Sequence, residues 1–267
     1  MHRKFSGALV LSCRILMRPI ARFLISSGMQ YGEFIEIAKT AFVSAACDLG
    51  MADEPTSAIA ARIGVGRKEV ARIRDESEVE FAHLARELSL PGAVLTRWHQ
   101  DPNFVRKNGS PRRISESDFA MLVRYVDKAI SAQEMLRELI ASRSVDAHQD
   151  GTFSPRMRYF IPHGDDPRRI LRFGIRVGDL AETLHRNSIS ADPVIEASAY
   201  NPQIAIEHLP VLRQIARIQA TSLLQSLDDW LTSHSTDTTN GSVRAGLGVY
   251  FFEDSAESTF GRLPHAD

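Results

Sequence analysis

The chain has 267 residues, of which 43% are hydrophobic and 24% are charged, and its formal net charge is −1. This is ordinary globular composition, so a packed core needs no disulfide or metal staple. Charge is divided unevenly: residues 1–74 hold eleven basic and six acidic side chains, whereas residues 178–267 hold five and twelve. The excess of basic side chains in residues 1–74 predicts a polyanionic partner. The alternative is chance variation in the charge of solvated faces.

Two amphipathic helices are predicted first, over residues 8–27 and 31–48, with Pro19 kinking or dividing the first. The apolar run at residues 8–11 superficially resembles a signal peptide, but it is too short and arginines follow at once. No stretch approaches the roughly 18 apolar residues of a membrane span, so no membrane partner is expected. Cys13 and Cys47 lie in apolar patterns and are predicted to be small buried residues in a reducing compartment.

Residues 56–75, TSAIAARIGVGRKEVARIRD, fit a helix-turn-helix. This motif needs a small residue where the helices cross, here Ala60, and a residue that tolerates positive φ in the turn, here Gly64. Apolar side chains that would fill the angle between the helices are Ile59, Ile63, Val65, Val70 and Ile73. Thr56 is predicted to cap the first helix, whose N-terminus can meet a phosphate.

The outward face of the second helix is basic, and its N-terminal part enters the major groove in this motif. Arg67, Lys68 and Arg72 are expected to face the groove, Arg74 to reach a phosphate, and Glu69 to accept from a cytosine or to orient Arg72. The candidate DNA-binding residues are Thr56, Ser57, Gly66, Arg67, Lys68, Arg72 and Arg74. The alternative is an ordinary helical hairpin with an arginine-rich solvated face.

Residues 94–162 predict a second module. The module is expected to begin after a break at residues 89–92, with a short element at 94–98 and a basic loop at 99–114. Two helices follow, which Ser115 and Ser131 are predicted to cap. A strand at residue 145, a turn at 150–151 and a strand-like stretch through Tyr159–Ile161 complete a winged-helix order. Candidate phosphate contacts are Arg106, Lys107, Arg112, Arg113, Arg156 and Arg158. The second helix is not basic, so protein contact is about as plausible as DNA contact.

Residues 163–267 predict two further helices, near 165–187 and 209–231, followed by a polar linker and a terminal strand at 249–252. The apolar residues Leu212, Ile215, Ile218, Leu223, Leu227 and Trp230 would form a core or a dimer interface. A homodimer is attractive because one helix-turn-helix buries little surface. No phosphate loop, nucleophile elbow or zinc motif occurs, so no enzyme, cofactor or metal is expected.

Several stretches together resemble a known family: RPIARFLISSGMQYGEFIEIAKTAF from residue 18, the helix-turn-helix, the Trp98 segment with DPNF and Gly109, and the closing RAGLGVYFFE. The chain is similar to a bacterial family of uncharacterised proteins with an N-terminal helix-turn-helix. The resemblance implies a cytoplasmic bacterial protein. The acidic run that begins at Asp75 departs from it and leaves the end of the recognition helix open.

Together these observations predict a mainly α fold with helix-turn-helix and winged-helix modules, a C-terminal helical region and a short terminal strand. The expected domains are residues 1–93, 94–162 and 163–267, the last serving dimerisation. The expected function is sequence-specific binding of double-stranded DNA, as a transcriptional regulator associated with the nucleoid. The alternative is a winged-helix adaptor of the chromosome-organising type that contacts proteins without reading bases.

Overall fold

The computed structural model describes residues 7–75, 79–162, 166, 168–236 and 241–253. These residues are mainly helical, and they include one two-stranded antiparallel sheet. The chain divides into two compact units, residues 1–93 and 94–267.

The first unit is built from helices alone in its described part. Its elements are α1 (Gly7–Ser26), α2 (Tyr31–Ala46), a wide turn at Cys47–Met51, α3 (Thr56–Ile63), α4 (Arg67–Asp75) and the start of α5 (Val79–Gln100). The wide turn ends α2 because Gly50 adopts a φ of 88°, which lies in the left-handed region. Both α3 and α4 begin where the sequence predicts, and α4 ends at Asp75 within the described residues.

The core of the first unit lies between α2, α3 and α4. Its buried members are Val43, Ala46, Met51, Ile59, Val70 and Ile73, and Ala60, Ile63 and Val65 pack against them. Each of the five apolar residues expected to fill the angle between α3 and α4 therefore lies in this cluster or against it. Because α2 supplies the third wall, the helix pair is closed on its apolar side and its outer face is left to solvent.

The second unit has its core near its N-terminal end. The end of α5 is followed by α6 (Glu116–Val126), α7 (Ala132–Ala141), β1 (Val145–Ala147) and β2 (Phe153–Pro155). The largest fully buried side chains here are Trp98, Phe104, Phe119, Leu95, Ile114, Leu122 and Leu139. The Trp98 and Phe119 rings meet edge to face at 5.6 Å, and Trp98 Nε1 donates to the carbonyl oxygen of Arg112 at 3.1 Å.

Local capping explains where α6 and α7 begin. The Ser115 hydroxyl accepts from the backbone N–H of Asp118 and the Ser131 hydroxyl from that of Glu134, as the sequence predicts. In the hairpin, Val145 pairs with Pro155 and Ala147 with Phe153. Ile114 forms an additional antiparallel bridge to Phe153 on the other side of β2.

The C-terminal half of the second unit contains α8 (Arg168–Ile189), a single 3₁₀ turn at Ile206–His208, α9 (Leu209–Ser233) and an irregular tail at 241–253. No residue of α8 or α9 is buried. Two ion pairs attach the tail: Arg244 contacts both carboxylate oxygens of Asp179 on α8 at 2.7 Å, and Glu253 pairs with Arg213 on α9 at 2.5 Å.

Three sequence predictions about elements are wrong. Helix α5 runs through Pro91 without the expected break. Proline removes a single backbone N–H donor, and the other hydrogen bonds of the helix can still form. The terminal strand at 249–252 is absent, since no described strand pairs with it. The second hairpin strand is Phe153–Pro155, and residues 159–161 are irregular.

Burial of the cysteines also differs from expectation. Cys13 is exposed and Cys47 is half-buried, and both are free thiols. Cys13 lies on α1, which contributes no residue to the core, so its apolar sequence neighbours do not cover it.

Candidate nucleic-acid interface

The turn between α3 and α4 has the backbone that the sequence predicts. Gly64 ends α3 with a φ of 77°, and its N–H donates to the carbonyl oxygen of Ala60. Gly66 lies immediately before α4, and its carbonyl oxygen accepts from the N–H groups of Glu69 and Val70 at 3.0 Å. A β-carbon at Gly66 would meet no heavy atom within 4 Å, so nothing inside the protein requires glycine at that position.

The start of α3 does not follow the prediction. Pro55 occupies the capping position, Thr56 is the first helical residue, and no side chain caps the helix. Proline fits at this position because its ring fixes φ near −65°, and Pro55 has a φ of −56°. The hydroxyl of Thr56 therefore is not a cap, whereas Ser57 is exposed beside it.

The outer face of α4 carries the basic side chains. Arg67 and Lys68 are exposed at the N-terminal end of the helix. Residues 56–75 contain five basic and two acidic side chains, so the pair of helices is positive in a chain whose total formal charge is −1. An exposed positive end on a rigid helix is suited to a polyanion.

Arg72 is oriented by its neighbour Glu69, one of the two roles that the sequence left open for that glutamate. Arg72 Nη2 donates to Glu69 Oε1 at 2.5 Å, and its Nε contacts Oε2 at 3.4 Å. This hydrogen bond lowers the pKa of Glu69 below its ordinary value, with the nearby charges of Arg72 and Lys39 acting in the same direction. The guanidinium is thus held along the helix surface.

Two arginines expected to contact phosphate are used inside the protein. Arg74 donates from Nη2 to the carbonyl oxygen of Ala52 at 2.7 Å and from Nη1 to that of Glu54 at 3.2 Å, so it braces the loop before α3. Arg158 is only 15% exposed, and it pairs with Asp229 on α9 at 2.7 Å. Both contacts join residues far apart in sequence, which no local pattern shows.

The remaining basic candidates of the second unit differ in their engagement. Arg112 is exposed but donates to the carbonyl oxygen of Asn103 at 2.6 Å. Arg156 lies 3.9 Å from Asp146 across the hairpin, and its side chain is 61% exposed. The other three are exposed in the loop before α6: Arg106, Lys107 and Arg113.

The outer face of α7 is not basic. Gln133, Glu134 and Arg137 are exposed, and Glu138 pairs with Arg168. Burial raises the pKa of Glu138, while the charge of Arg168 and its hydrogen bond act in the opposite direction. The second helix pair therefore lacks the positive face that the first pair has.

The model of a family of unknown function (DUF6502) matches residues 6–259 of the chain. The chain belongs to this family. The match confirms the resemblance to an uncharacterised family, and the bacterial origin and the N-terminal helix-turn-helix stay predictions. No curated protein matches the sequence.

Among the described residues, no three histidine, cysteine, aspartate or glutamate side chains come together in a way that could hold a metal ion. Across the same residues, no helix combines the length and the apolar character needed to cross a bilayer.

Proposed function

We propose that this protein binds double-stranded DNA through α3 and α4 and acts as a transcriptional regulator at the bacterial nucleoid. The observation that carries the proposal is the exposed basic N-terminal end of α4, mounted on a closed three-helix core. In this interpretation α3 and α4 form a helix-turn-helix, and α4 is its recognition helix.

The geometry of α4 supports a division of roles. Arg67 and Lys68 are directed at the groove, where arginine can donate two hydrogen bonds to guanine. Arg72, held by Glu69, approaches DNA with its orientation already set. Gly66 has no side chain, and the space that a β-carbon would fill there is open to solvent. The DNA backbone can therefore come close to the start of α4. Arg74 is not assigned a contact with DNA, because its guanidinium donates to two backbone carbonyls of the protein.

The second unit supports a winged-helix interpretation without base reading. The order is the end of α5, the bridge at Ile114, α6, α7 and the β1–β2 hairpin, which is the order of a winged helix. Because α7 presents Glu134 beside Arg137, we assign this module exposed phosphate contacts only, from Arg106, Lys107, Arg113 and Arg156.

The proposal includes a homodimer formed through the C-terminal helices. On α9, Leu212, Ile215, Ile218, Leu223 and Trp230 are all exposed, and α8 exposes Ile170, Leu180 and Leu184. Large apolar side chains exposed in this number indicate an interaction surface, and the pairing of two α9 helices would cover those on α9. Light scattering tests this: Ile215→Lys with Ile218→Lys should convert a dimer into a monomer. A wild-type monomer at micromolar concentration would contradict the dimer.

Duplex DNA binding is tested by fluorescence anisotropy with labelled DNA over a range of salt concentrations. Arg67→Ala with Lys68→Ala should weaken binding about a hundred-fold and flatten the dependence on salt. Arg62→Ala is the control for the loss of a single charge, because Arg62 is an exposed arginine of the same helix pair that is not assigned a contact. Equal binding by the double variant and the control would overturn the proposal.

Gly66→Ala provides a second probe that does not change charge. The added methyl group fits the free protein, so folding should be unaffected. A loss of DNA affinity would therefore report the close approach of DNA to this residue.

The adaptor function is the second candidate, and the mixed-charge face of α7 favours it. If none of the variants changes DNA affinity, and substitutions at Glu134 and Arg137 instead abolish binding to a protein partner, the adaptor is supported.

A further inference from the structure

Helix α1 lies outside the packed core of the first unit. None of its 20 residues is buried, and it leaves Leu9, Val10, Leu11, Leu16 and Ile25 exposed. Large aliphatic side chains in this number gain free energy when an apolar phase covers them.

The charge of α1 is of one sign. Arg14, Arg18 and Arg22 recur every four residues and lie on one side of the helix. The helix contains no aspartate or glutamate, and the first acidic residue of the chain is Glu33. Surfaces that only need to be soluble mix both signs, so an all-basic helix indicates an anionic partner.

Most of the apolar side chains lie on the side of the helix opposite the arginines, while Leu11 and Ile25 lie among the arginines. Leu9, Leu16 and Phe23 recur every seven residues, and at about 100° per residue they lie across the helix from the arginines. Leu9 and Leu16 are exposed, and Phe23 is half-buried.

We propose that α1 binds the surface of an anionic phospholipid bilayer and lies flat in its interface. Leu9 and Leu16 enter the boundary between headgroups and acyl chains, and the three arginines contact lipid phosphates. The sequence predicts no membrane partner because it has no segment that could span a bilayer, but a helix that lies on the surface of a bilayer needs no such segment. This inference is independent of the DNA-binding proposal, which uses α3 and α4.

The apolar residues decide between an anionic bilayer and DNA as the partner of α1. DNA would neutralise the arginines but offers no apolar phase for Leu9 and Leu16. A second copy of the chain would cover those leucines, but it gives no reason for the absence of acidic residues. Only the anionic bilayer uses both sides of the helix.

Vesicle flotation of the full chain tests the proposal. The protein should bind vesicles of phosphatidylcholine mixed with phosphatidylglycerol and should not bind phosphatidylcholine alone. Arg14→Gln/Arg18→Gln/Arg22→Gln should lower partitioning about a hundred-fold, at about five-fold for each charge near the surface. Leu9→Ser/Leu16→Ser should lower it by about as much. Because α1 contributes nothing to the core, neither variant should change the thermal midpoint.

A charge-matched control separates α1 from a general effect of positive charge. Arg124→Gln/Lys128→Gln/Arg137→Gln removes three exposed charges elsewhere, and it should bind vesicles like the wild type. A fluorophore on the exposed Cys13, in a Cys47→Ser background, should shift to shorter wavelength only with anionic vesicles. Three results would each overturn the proposal: no binding to anionic vesicles, equal binding to neutral ones, or equal losses for the arginine triple variant and its control.

Discussion

The two helix pairs, α3–α4 and α6–α7, are built on the same principle and differ in their outer faces. Each pair places apolar residues in a shared core: Ile59 and Val70 are fully buried in the first, and Phe119 and Leu139 in the second. The outer face of α4 then presents Arg67 and Lys68, whereas that of α7 presents Glu134 beside Arg137. Packing is therefore alike in the two pairs, and the charge of the outer face is the feature in which they differ.

The largest expected effect concerns the two cores. Phe119→Ala should destabilise the second unit by about 3 to 5 kcal/mol, and Ile59→Ala the first by about 2 to 5 kcal/mol. The only two tryptophans, Trp98 and Trp230, lie in the second unit, so fluorescence reports its unfolding. Phe119→Ala should lower the fluorescence midpoint, and Ile59→Ala should lower the circular dichroism midpoint alone. If both variants shifted the fluorescence and the circular dichroism midpoints equally, the two units would not unfold independently.

A smaller effect concerns Arg74, which braces the loop before α3. Arg74→Ala should destabilise the first unit by about 1 kcal/mol, because two backbone carbonyls lose their donor while remaining accessible to water. The salt dependence of DNA binding should stay unchanged, in contrast to Arg67→Ala with Lys68→Ala. If Arg74→Ala flattened the salt dependence of DNA binding without lowering stability, Arg74 would instead contact a DNA phosphate.

The dependence of stability on pH should also separate the units. Burial lowers the pKa of His99 from its ordinary value of 6.5, so the unfolded chain binds the proton more readily. The second unit should therefore lose stability as pH falls through 6.5. Burial raises the pKa of Asp228 above 3.8, which acts in the opposite direction at lower pH. In His99→Gln the fluorescence midpoint should be insensitive to pH near 6.5, and an unchanged dependence would contradict this assignment.

The smallest expected effect is on DNA binding by α7. Gln133→Ala with Arg137→Ala should leave duplex affinity within about two-fold of the wild type, since no base contact is assigned there. A ten-fold loss, measured by the same anisotropy titration, would show that both helix pairs contact DNA.

Much of the local structure could be predicted because its causes are local. The capping serines 115 and 131 and the turn glycine Gly64 act within four residues, and the structure has all three where the sequence indicates. The apolar positions of α3 and α4 follow from helical spacing, which needs no tertiary information. Gly64 and this spacing are the features on which the candidate interface at residues 56–75 rests, so the sequence alone can nominate that segment.

The sequence by itself determined the helix pair at 56–75, its buried residues and the basic side chains of its outer face, because spacing and charge along a helix decide these. Only the tertiary structure decided which arginines stay available. Arg74 and Arg158 are engaged by groups about 20 and 70 residues away, and the apolar stretch at 249–252 pairs with no strand among the residues that the structure describes. Each of these outcomes depends on contacts between segments that are distant in sequence. Such contacts produce no periodic pattern in the sequence from which they could be predicted.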